Sequence, residues 1–271
     1  MELKKSLFVC LLLCSSTFHA VDGAGWSASY GTNFKKSEST VSSNPSKTDS
    51  LSVSAAIVKQ IDPKTWVGGS LSYGVTKTDG GFGTSDVETK VTAGSLLAMR
   101  DIGSNMIVDG YVGQGDISLS NEYTSLGPIT NYRNSTRFSV IGSGLSRTYR
   151  ISPTANGTLK GRLSRVSSDT DSYIDSNGTR YSAVSRSTVN SSIGGSLSWV
   201  LGAWRPQVGI QLNHANASVS SETNDRNYLQ INGGVGYTLS PKQSWTLGYN
   251  RIEAKDFSKE QSLMLSLRTS F

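Results

Sequence analysis

The last ten residues, SLMLSLRTSF (262–271), alternate between two kinds of side chain. One parity is apolar or branched, and the other is small or polar apart from Met264. The first parity holds Leu263, Leu265, Leu267, Thr269 and Phe271. A period of two predicts a β-strand with two different faces. Because chain ends usually fray in water, an alternating strand that finishes on a large aromatic residue is unusual for a water-soluble domain.

The same alternation runs through nearly the whole chain and predicts twelve strands. The predicted strands cover 24–35, 48–60, 65–77, 85–100, 105–117, 132–150, 157–168, 186–200, 205–218, 227–239, 245–254 and 259–271. Several reach the length of about ten residues that a tilted strand needs to cross a bilayer. The runs 105–117 and 132–150 alternate least cleanly, and we expect bulges in them.

Composition limits the classes of protein to be considered. Only 36% of the residues are hydrophobic, fewer than a soluble domain of 271 residues usually brings to fill a core. The net charge of +6 is scattered without a Lys/Arg-rich run, which argues against nucleic acid as a partner. Regular alternation excludes a disordered chain, so we expect an apolar face that looks outward.

The N-terminus has the order of a secretory signal peptide. Two lysines precede the apolar run Leu7–Cys14, which is too short to span a membrane. We predict a signal peptide over 1–23 and a barrel over 24–271, with cleavage after either Ala20 or Gly23.

Both cysteines lie within the predicted signal peptide, so the mature chain is expected to lack disulfides and thiol chemistry. Acylation of Cys14 as a lipoprotein is the alternative. Leu13 is larger than the residue that usually precedes such a cysteine, which argues against it.

The connections alternate between short turns and longer polar stretches. We predict short turns at Ile61–Lys64, Asp101–Ser104, Pro153–Asn156, Leu201–Trp204 and Ser240–Ser244. We predict long loops at Lys36–Lys47, Thr78–Thr84, Ser118–Asn131 and Asp169–Ser185. This asymmetry is typical of outer-membrane β-barrels, whose periplasmic turns are short. An even number of strands places both termini on the periplasmic side.

Tryptophan supports the same interpretation. The five tryptophans are expected at one membrane interface, because each opens or closes a strand at the short-turn side; they are Trp26, Trp66, Trp199, Trp204 and Trp245. An indole prefers the layer between acyl chains and headgroups. Phe271 belongs to the same predicted girdle, and the last strand is expected to close the barrel so that no sheet edge stays unpaired in lipid.

The closing segment INGGVGYTLSPKQSWTLGYNRIEAKDFSKEQSLMLSLRTSF (231–271) resembles the translocator domain of bacterial autotransporters. The resemblance implies an all-β fold: a single transmembrane antiparallel up-and-down barrel of about twelve strands in a Gram-negative outer membrane. It also implies that Leu263, Leu265, Leu267, Thr269 and Phe271 form a signal for the barrel-assembly machinery, with periplasmic chaperones as further partners during biogenesis. Autotransporters carry a passenger before the barrel. Here the first strand starts at about Ala24, and we expect no passenger in this chain.

The inward parity is mostly Ser, Gly, Asn, Gln and Thr. Its predicted charged members, as possible pore lining, are Arg100, Asp109, Lys160, Arg162 and Arg268. Two interpretations fit these residues equally well. Either a narrow wet path favours anions, or the lumen is plugged by a loop or by crossed arginine–carboxylate pairs.

No residue pattern points to catalysis, a metal or a cofactor. His214 is the one histidine after residue 23, and its spacing to Ser218 does not match the pair of a lipid-acting enzyme. The chain is therefore predicted not to be an enzyme, with outer-membrane lipid as its surroundings. Two functions remain: a structural or surface-interaction role with an unidentified ligand, or a narrow porin-like channel for small, anionic solutes.

Overall fold

A computed structural model describes residues 25–39, 46–80, 85–123, 130–216, 226–254 and 259–271. The predicted signal peptide over 1–23 lies outside these residues. Among the described residues, no helix is long and apolar enough to cross a membrane.

Twelve antiparallel strands form one closed barrel, as predicted. Its strands are β1 (Trp26–Ser39), β2 (Ser46–Asp62), β3 (Thr65–Gly80), β4 (Ser85–Gly103), β5 (Met106–Tyr123), β6 (Thr130–Arg150), β7 (Ala155–Thr170), β10 (Val184–Trp199), β11 (Trp204–Ala215), β12 (Asn227–Ser240), β13 (Gln243–Ala254) and β14 (Lys259–Ser270). A separate small hairpin consists of β8 (Tyr173–Ile174) and β9 (Arg180–Tyr181). Each barrel strand pairs with its neighbours in the chain, and β1 also pairs with β14.

The seam between the first and last strands is a full ladder. It runs from Ser27 opposite Ser270 to Glu38 opposite Lys259. At the chain end, the N–H of Trp26 donates to the carbonyl of Phe271 at 3.1 Å, and the N–H of Phe271 donates to the carbonyl of Trp26 at 2.9 Å. Both described chain ends therefore lie at one end of the barrel, called the periplasmic end below. This pairing leaves neither strand with a free edge.

The strands extend further than predicted at the opposite end. The predicted loop Lys36–Lys47 is strand up to Ser39 and again from Ser46. The predicted loop Ser118–Asn131 is strand up to Tyr123 and again from Thr130. The asymmetry of the two ends therefore comes from projecting strands as well as from loops. Polar sequences form strand there because the ladder of the membrane-spanning part continues upward.

The predicted bulges in 105–117 and 132–150 are wrong. The ladder between β5 and β6 runs without a register shift from Met106–Arg147 to Tyr123–Thr130. The shifts in the barrel occur beside turns, such as the one between Asp101 and Gly103. Alternation is weak in β5 and β6 because their inward face also carries apolar residues, including Ile117 and Phe138.

The outward face forms an apolar belt around the barrel. Large apolar side chains on this face are exposed, for example Leu71, Leu96 and Ile193, the last to 67%. On β1 the belt reaches from Trp26 to Phe34, eight residue steps or about 20 Å of height for a tilted strand. This is the surface that the sequence predicts to face lipid.

Aromatic residues cluster outward at the periplasmic end. Trp204 and Tyr237 have ring centroids 4.6 Å apart, and Tyr237 and Trp245 are 5.9 Å apart. The ammonium of Lys59 lies 5.2 Å from the centroid of the Trp26 ring. The predicted position of Trp66 is wrong, because it lies on the inward parity of β3 and is only 6% exposed.

The inner face of the barrel is built differently on its two sides. The inward side chains of β4–β7 form two buried apolar clusters, called the packed wall. The clusters are Val91, Ile117 and Phe138, and Tyr111, Val140 and Val166. The inward side chains of β10–β14 and β1, called the polar wall, are mainly serine, glycine, asparagine and glutamine.

Candidate functional site: the barrel lumen

An ion pair crosses the inner face of the packed wall. A guanidinium nitrogen of Arg162 on β7 donates to Asp109 Oδ2 on β5 at 3.0 Å. The two residues both face Gly144 on the strand between them. A Cβ at position 144 would lie 2.5 Å from Asp109 Oδ1, so glycine leaves the room that this pair needs.

An aromatic ring completes this arrangement. The Tyr111 ring lies against Gly142, where an added Cβ would approach it to 2.5 Å. The Arg162 guanidinium lies 5.3 Å from the centroid of the same ring. The carboxylate and the ring face together orient the guanidinium, which neutralises Asp109 and limits its use as a cation site.

Two of the predicted lumen cations have no ion-pair partner among the residues that the structure describes. Lys160 lies two residues from Arg162 on the inward side of β7, and Arg268 lies inward on β14. Neither makes an ion pair with any residue in the described part of the chain. Lys160 is exposed although it faces inward, so the lumen beside it has room for water.

The structure brings together three of the predicted lumen residues: Asp109, Lys160 and Arg162. Arg268 faces the same lumen from the polar wall. For Arg100 the prediction is wrong, since it shares the outward parity of Leu96 and Ile102. Alternation did not identify the inward face of β4 because both faces carry leucine, outward at Leu96 and inward at Leu97.

Sequence reasoning missed a second ion pair, at the seam. Lys35 Nζ on β1 lies 2.6 Å from Glu260 Oε2 on β14, and the two side chains are only 6% and 3% exposed. The two residues are far apart in the chain, and only barrel closure makes them neighbours. The pairing of the first strand with the last was predicted, and opposite charges on these strands were the available signal.

The polar wall carries glycine or serine at several of its inward positions. Between β10 and β11, Gly194 faces Gln211 and Ser196 faces Gly209. On β14 the inward Met264 is still 37% exposed, although it lies in the middle of its strand. Inward positions of the polar wall therefore include small residues, and the inward Met264 side chain is not fully covered.

The residues predicted as an assembly signal lie on one face of β14. Leu263, Leu265 and Leu267 are exposed on the apolar belt, and Phe271 is exposed at the periplasmic end. Thr269 has the same parity. These residues form a continuous outward stripe along the last strand, and the assembly signal itself stays a prediction.

His214 lies outside the lumen. Its side chain faces outward near the end of β11, and its Nδ1 lies 2.8 Å from Asn227 Oδ1. Among the described residues, no group of three or more His, Cys, Asp or Glu side chains is placed to hold a metal ion. The hydrogen-bond partner of Nδ1 is therefore an amide oxygen rather than a carboxylate.

Comparisons with known proteins agree with this architecture. The family described as Autotransporter beta-domain matches residues 25–250. No match was found among curated protein sequences.

Among solved structures, the barrel is similar to the translocator domain of the autotransporter NalP from Neisseria meningitidis. The TM-score is 0.79 at 13% identity, covering 98% of this chain and 94% of that one. The transport unit of AIDA-I from Escherichia coli gives a TM-score of 0.68 at 14% identity, with 99% of both chains covered. The beta domain of the Bordetella autotransporter BrkA gives 0.67 at 12% identity, covering 90% and 99%. At these identities the likeness shows the fold.

Proposed function

The chain belongs to the autotransporter β-domain family, and from this premise we propose that its barrel is a narrow, water-filled pore that favours small anions. Barrels of this family lie in the bacterial outer membrane and are transport domains rather than enzymes. The proposal concerns what passes through the lumen.

One observation carries the proposal: among the described residues, two predicted lumen cations have no ion-pair partner, whereas the inward carboxylates Asp109 and Glu260 are paired. Asp109 and Glu260 are each held by a cation, at 3.0 Å and 2.6 Å. Lys160 and Arg268 have no ion-pair partner in the described part of the chain. A wet path whose unpaired fixed charges are positive concentrates anions and repels cations. The exposed inward side chain of Met264 supports a path that is not filled by the barrel's own side chains.

Single-channel recording in planar bilayers tests the proposal. We expect small, discrete conductance steps and a reversal potential in a KCl gradient that indicates preference for chloride. Lys160→Gln combined with Arg268→Gln should shift this potential toward potassium. Arg100→Gln, which removes an outward cation, is the matched control and should leave selectivity unchanged. A barrel that inserts without conducting, or a double variant with unaltered selectivity, would contradict the proposal.

A second function, surface interaction, is favoured by the projecting strands. Their outer face carries charges of alternating sign at facing positions: Lys36 opposite Asp49, Asp49 opposite Lys77, and Lys77 opposite Glu88. On the inner side, Val91, Ile117 and Phe138 form a buried cluster that stiffens β4–β6. A rigid, charged rim is suited to polar contacts with another surface.

This second function is tested on whole cells. Cells that display the barrel should adhere to each other or to a protein-coated surface more than cells without it. Replacing Tyr173–Tyr181 by a short Gly-Ser turn should reduce adhesion and leave conductance unchanged. If adhesion is the same with and without the barrel, the surface role is wrong.

A further inference from the structure

An amphipathic groove of about 570 Å³ lies along β10–β13, and most of the residues that line it have outward parity. Its upper rim is a row of polar residues at facing positions: Ser191 opposite His214, and His214 opposite Asn227. The next outward row toward the periplasmic end is apolar: Ile193 opposite Leu212, and Leu212 opposite Leu229. The groove therefore has a polar upper end and an apolar floor.

We propose that this groove is a binding site for one acyl chain of an outer-leaflet glycolipid. Its floor belongs to the apolar belt, since Ile193 and Leu212 are outward and exposed like the rest of that surface. The belt is the membrane-facing surface of this outer-membrane barrel, so the floor is continuous with an established lipid interface. Water in a groove bordered by hydrocarbon finds few partners, whereas an acyl chain fills it at no polar cost.

The open shape of the floor fits a flexible chain. Gly161 faces Ile193 across the β7–β10 ladder, Gly195 lies on the next outward position of β10, and Gly233 lies two outward positions from Leu229 on β12. A Cβ at Gly161 or Gly233 would have its nearest neighbour 3.9 Å away, so no side chain from the barrel fills these positions. An acyl chain leaving the floor can lie against backbone there.

The rim favours hydroxyl and amide groups over a bare phosphate. His214 Nδ1 is engaged with Asn227 Oδ1 at 2.8 Å, which leaves the second ring nitrogen for a headgroup. Glu253, which also lines the groove, forms an ion pair with Arg251. The rim therefore carries hydrogen-bonding groups without an unpaired charge, and this is the chemistry of a sugar or an amide-linked acyl group.

Two hydrogen bonds between Val189 and Asn216 fix the height of the rim. Asn216 Oδ1 accepts from the N–H of Val189 at 2.8 Å, and the N–H of Asn216 donates to the carbonyl of Val189 at 2.9 Å. These bonds close the ladder immediately above Ser191 and His214, so the polar row is held at the upper edge of the apolar floor. A lipid headgroup at this height has its acyl chain directed into the belt.

Native mass spectrometry of the full mature barrel, delipidated in mild detergent, tests the proposal. The probes are lipid A, lipid A without its phosphates, and phosphatidylglycerol. We expect one lipid A per barrel, retained equally well without the phosphates and at least tenfold better than phosphatidylglycerol. Loss of binding on dephosphorylation, or equal retention of phosphatidylglycerol, would overturn the proposal.

Two variants locate the binding. Ser191→Trp fills the groove and should lower lipid A occupancy at least tenfold, while Leu71→Trp, on the outward face of β3, should not. Heat-modifiability on gels shows whether each variant is folded. His214→Ala with Asn227→Ala removes rim contacts without adding bulk and should weaken retention of both forms of lipid A but not that of phosphatidylglycerol. Unchanged occupancy in folded Ser191→Trp would overturn the assignment to this groove.

Discussion

The packed wall and the polar wall are made of the same kind of strand but hold the barrel together differently. On the packed wall, inward side chains such as Ile117 and Phe138 bury apolar area against one another. On the polar wall, pairs such as Ser196 and Gly209 contribute little side-chain burial, and the backbone ladder does most of the stabilising. The difference indicates that the two sides of one lumen stabilise the barrel by different means.

The largest effect, on outer-membrane yield, is expected at the C-terminal end of β14, where the barrel closes. Phe271→Ser removes the exposed aromatic end of the outward stripe on β14. The lost burial is only about 2 kcal/mol, but an unrecognised chain stays in the periplasm with apolar strands exposed and is degraded or aggregates. We expect a severe loss of outer-membrane yield by fractionation, while detergent-refolded protein still forms a barrel.

Ser270→Ala, at the inward neighbouring position, is the control and should assemble normally. If Phe271→Ser reaches the outer membrane at the normal level, the C-terminus is not an assembly signal.

The buried ion pair at the seam tests whether a single contact on the polar wall contributes strongly to the free energy of unfolding. Glu260→Leu leaves the Lys35 ammonium buried without its carboxylate, at a cost of about 3 to 5 kcal/mol. Adding Lys35→Met should restore most of the lost free energy of unfolding, because the pair is then replaced by apolar side chains. Urea unfolding in lipid vesicles measures the free energy of unfolding of the single and the double variant. Equal stability of the single and double variants would show that the pair does not act as a unit.

A matched pair of truncations compares the walls directly. Ile117→Ala in the packed wall removes a side chain that is 1% exposed and should cost about 3 kcal/mol. Met264→Ala in the polar wall removes a partly exposed side chain and should cost less than about 1 kcal/mol. The same unfolding measurement applies. Similar losses in the two variants would break the distinction between the walls.

The smallest effect is expected at the periplasmic turn between β2 and β3. The N–H of Lys64 donates to Asp62 Oδ1 at 2.8 Å and lowers the pKa of this carboxyl, with a smaller contribution from the Thr65 hydroxyl. A lowered pKa in the folded state stabilises it above the usual carboxyl range, and this gain is lost as the pH falls through the folded value.

Asp62→Asn should therefore lower the unfolding midpoint slightly at pH 7 and leave it unchanged in acid below the lowered pKa of this carboxyl. A difference between variant and wild type that grows in acid would contradict this role of the carboxylate.

Alternation in the sequence was sufficient to predict twelve strands, the closed barrel and its lipid-facing residues on β14. Each of these follows from local chemistry, since a strand between lipid and a polar interior must change character at every residue. Alternation failed where the interior is itself apolar. In β4, with leucine on both faces, it assigned Arg100 to the wrong side, and in β5 and β6 it suggested bulges that the ladder lacks.

Tertiary structure alone decided which distant residues meet. Asp109 and Arg162 pair across Gly144, and Lys35 and Glu260 pair across the seam. The orientation of Trp66 is a further example. Its position at a strand end predicts that it lies at the membrane interface, but the register of β3 directs its side chain into the lumen. A period of two determines that a strand has two faces. Which face is the inner one, and what lies opposite it, depends on the register and curvature of the closed sheet.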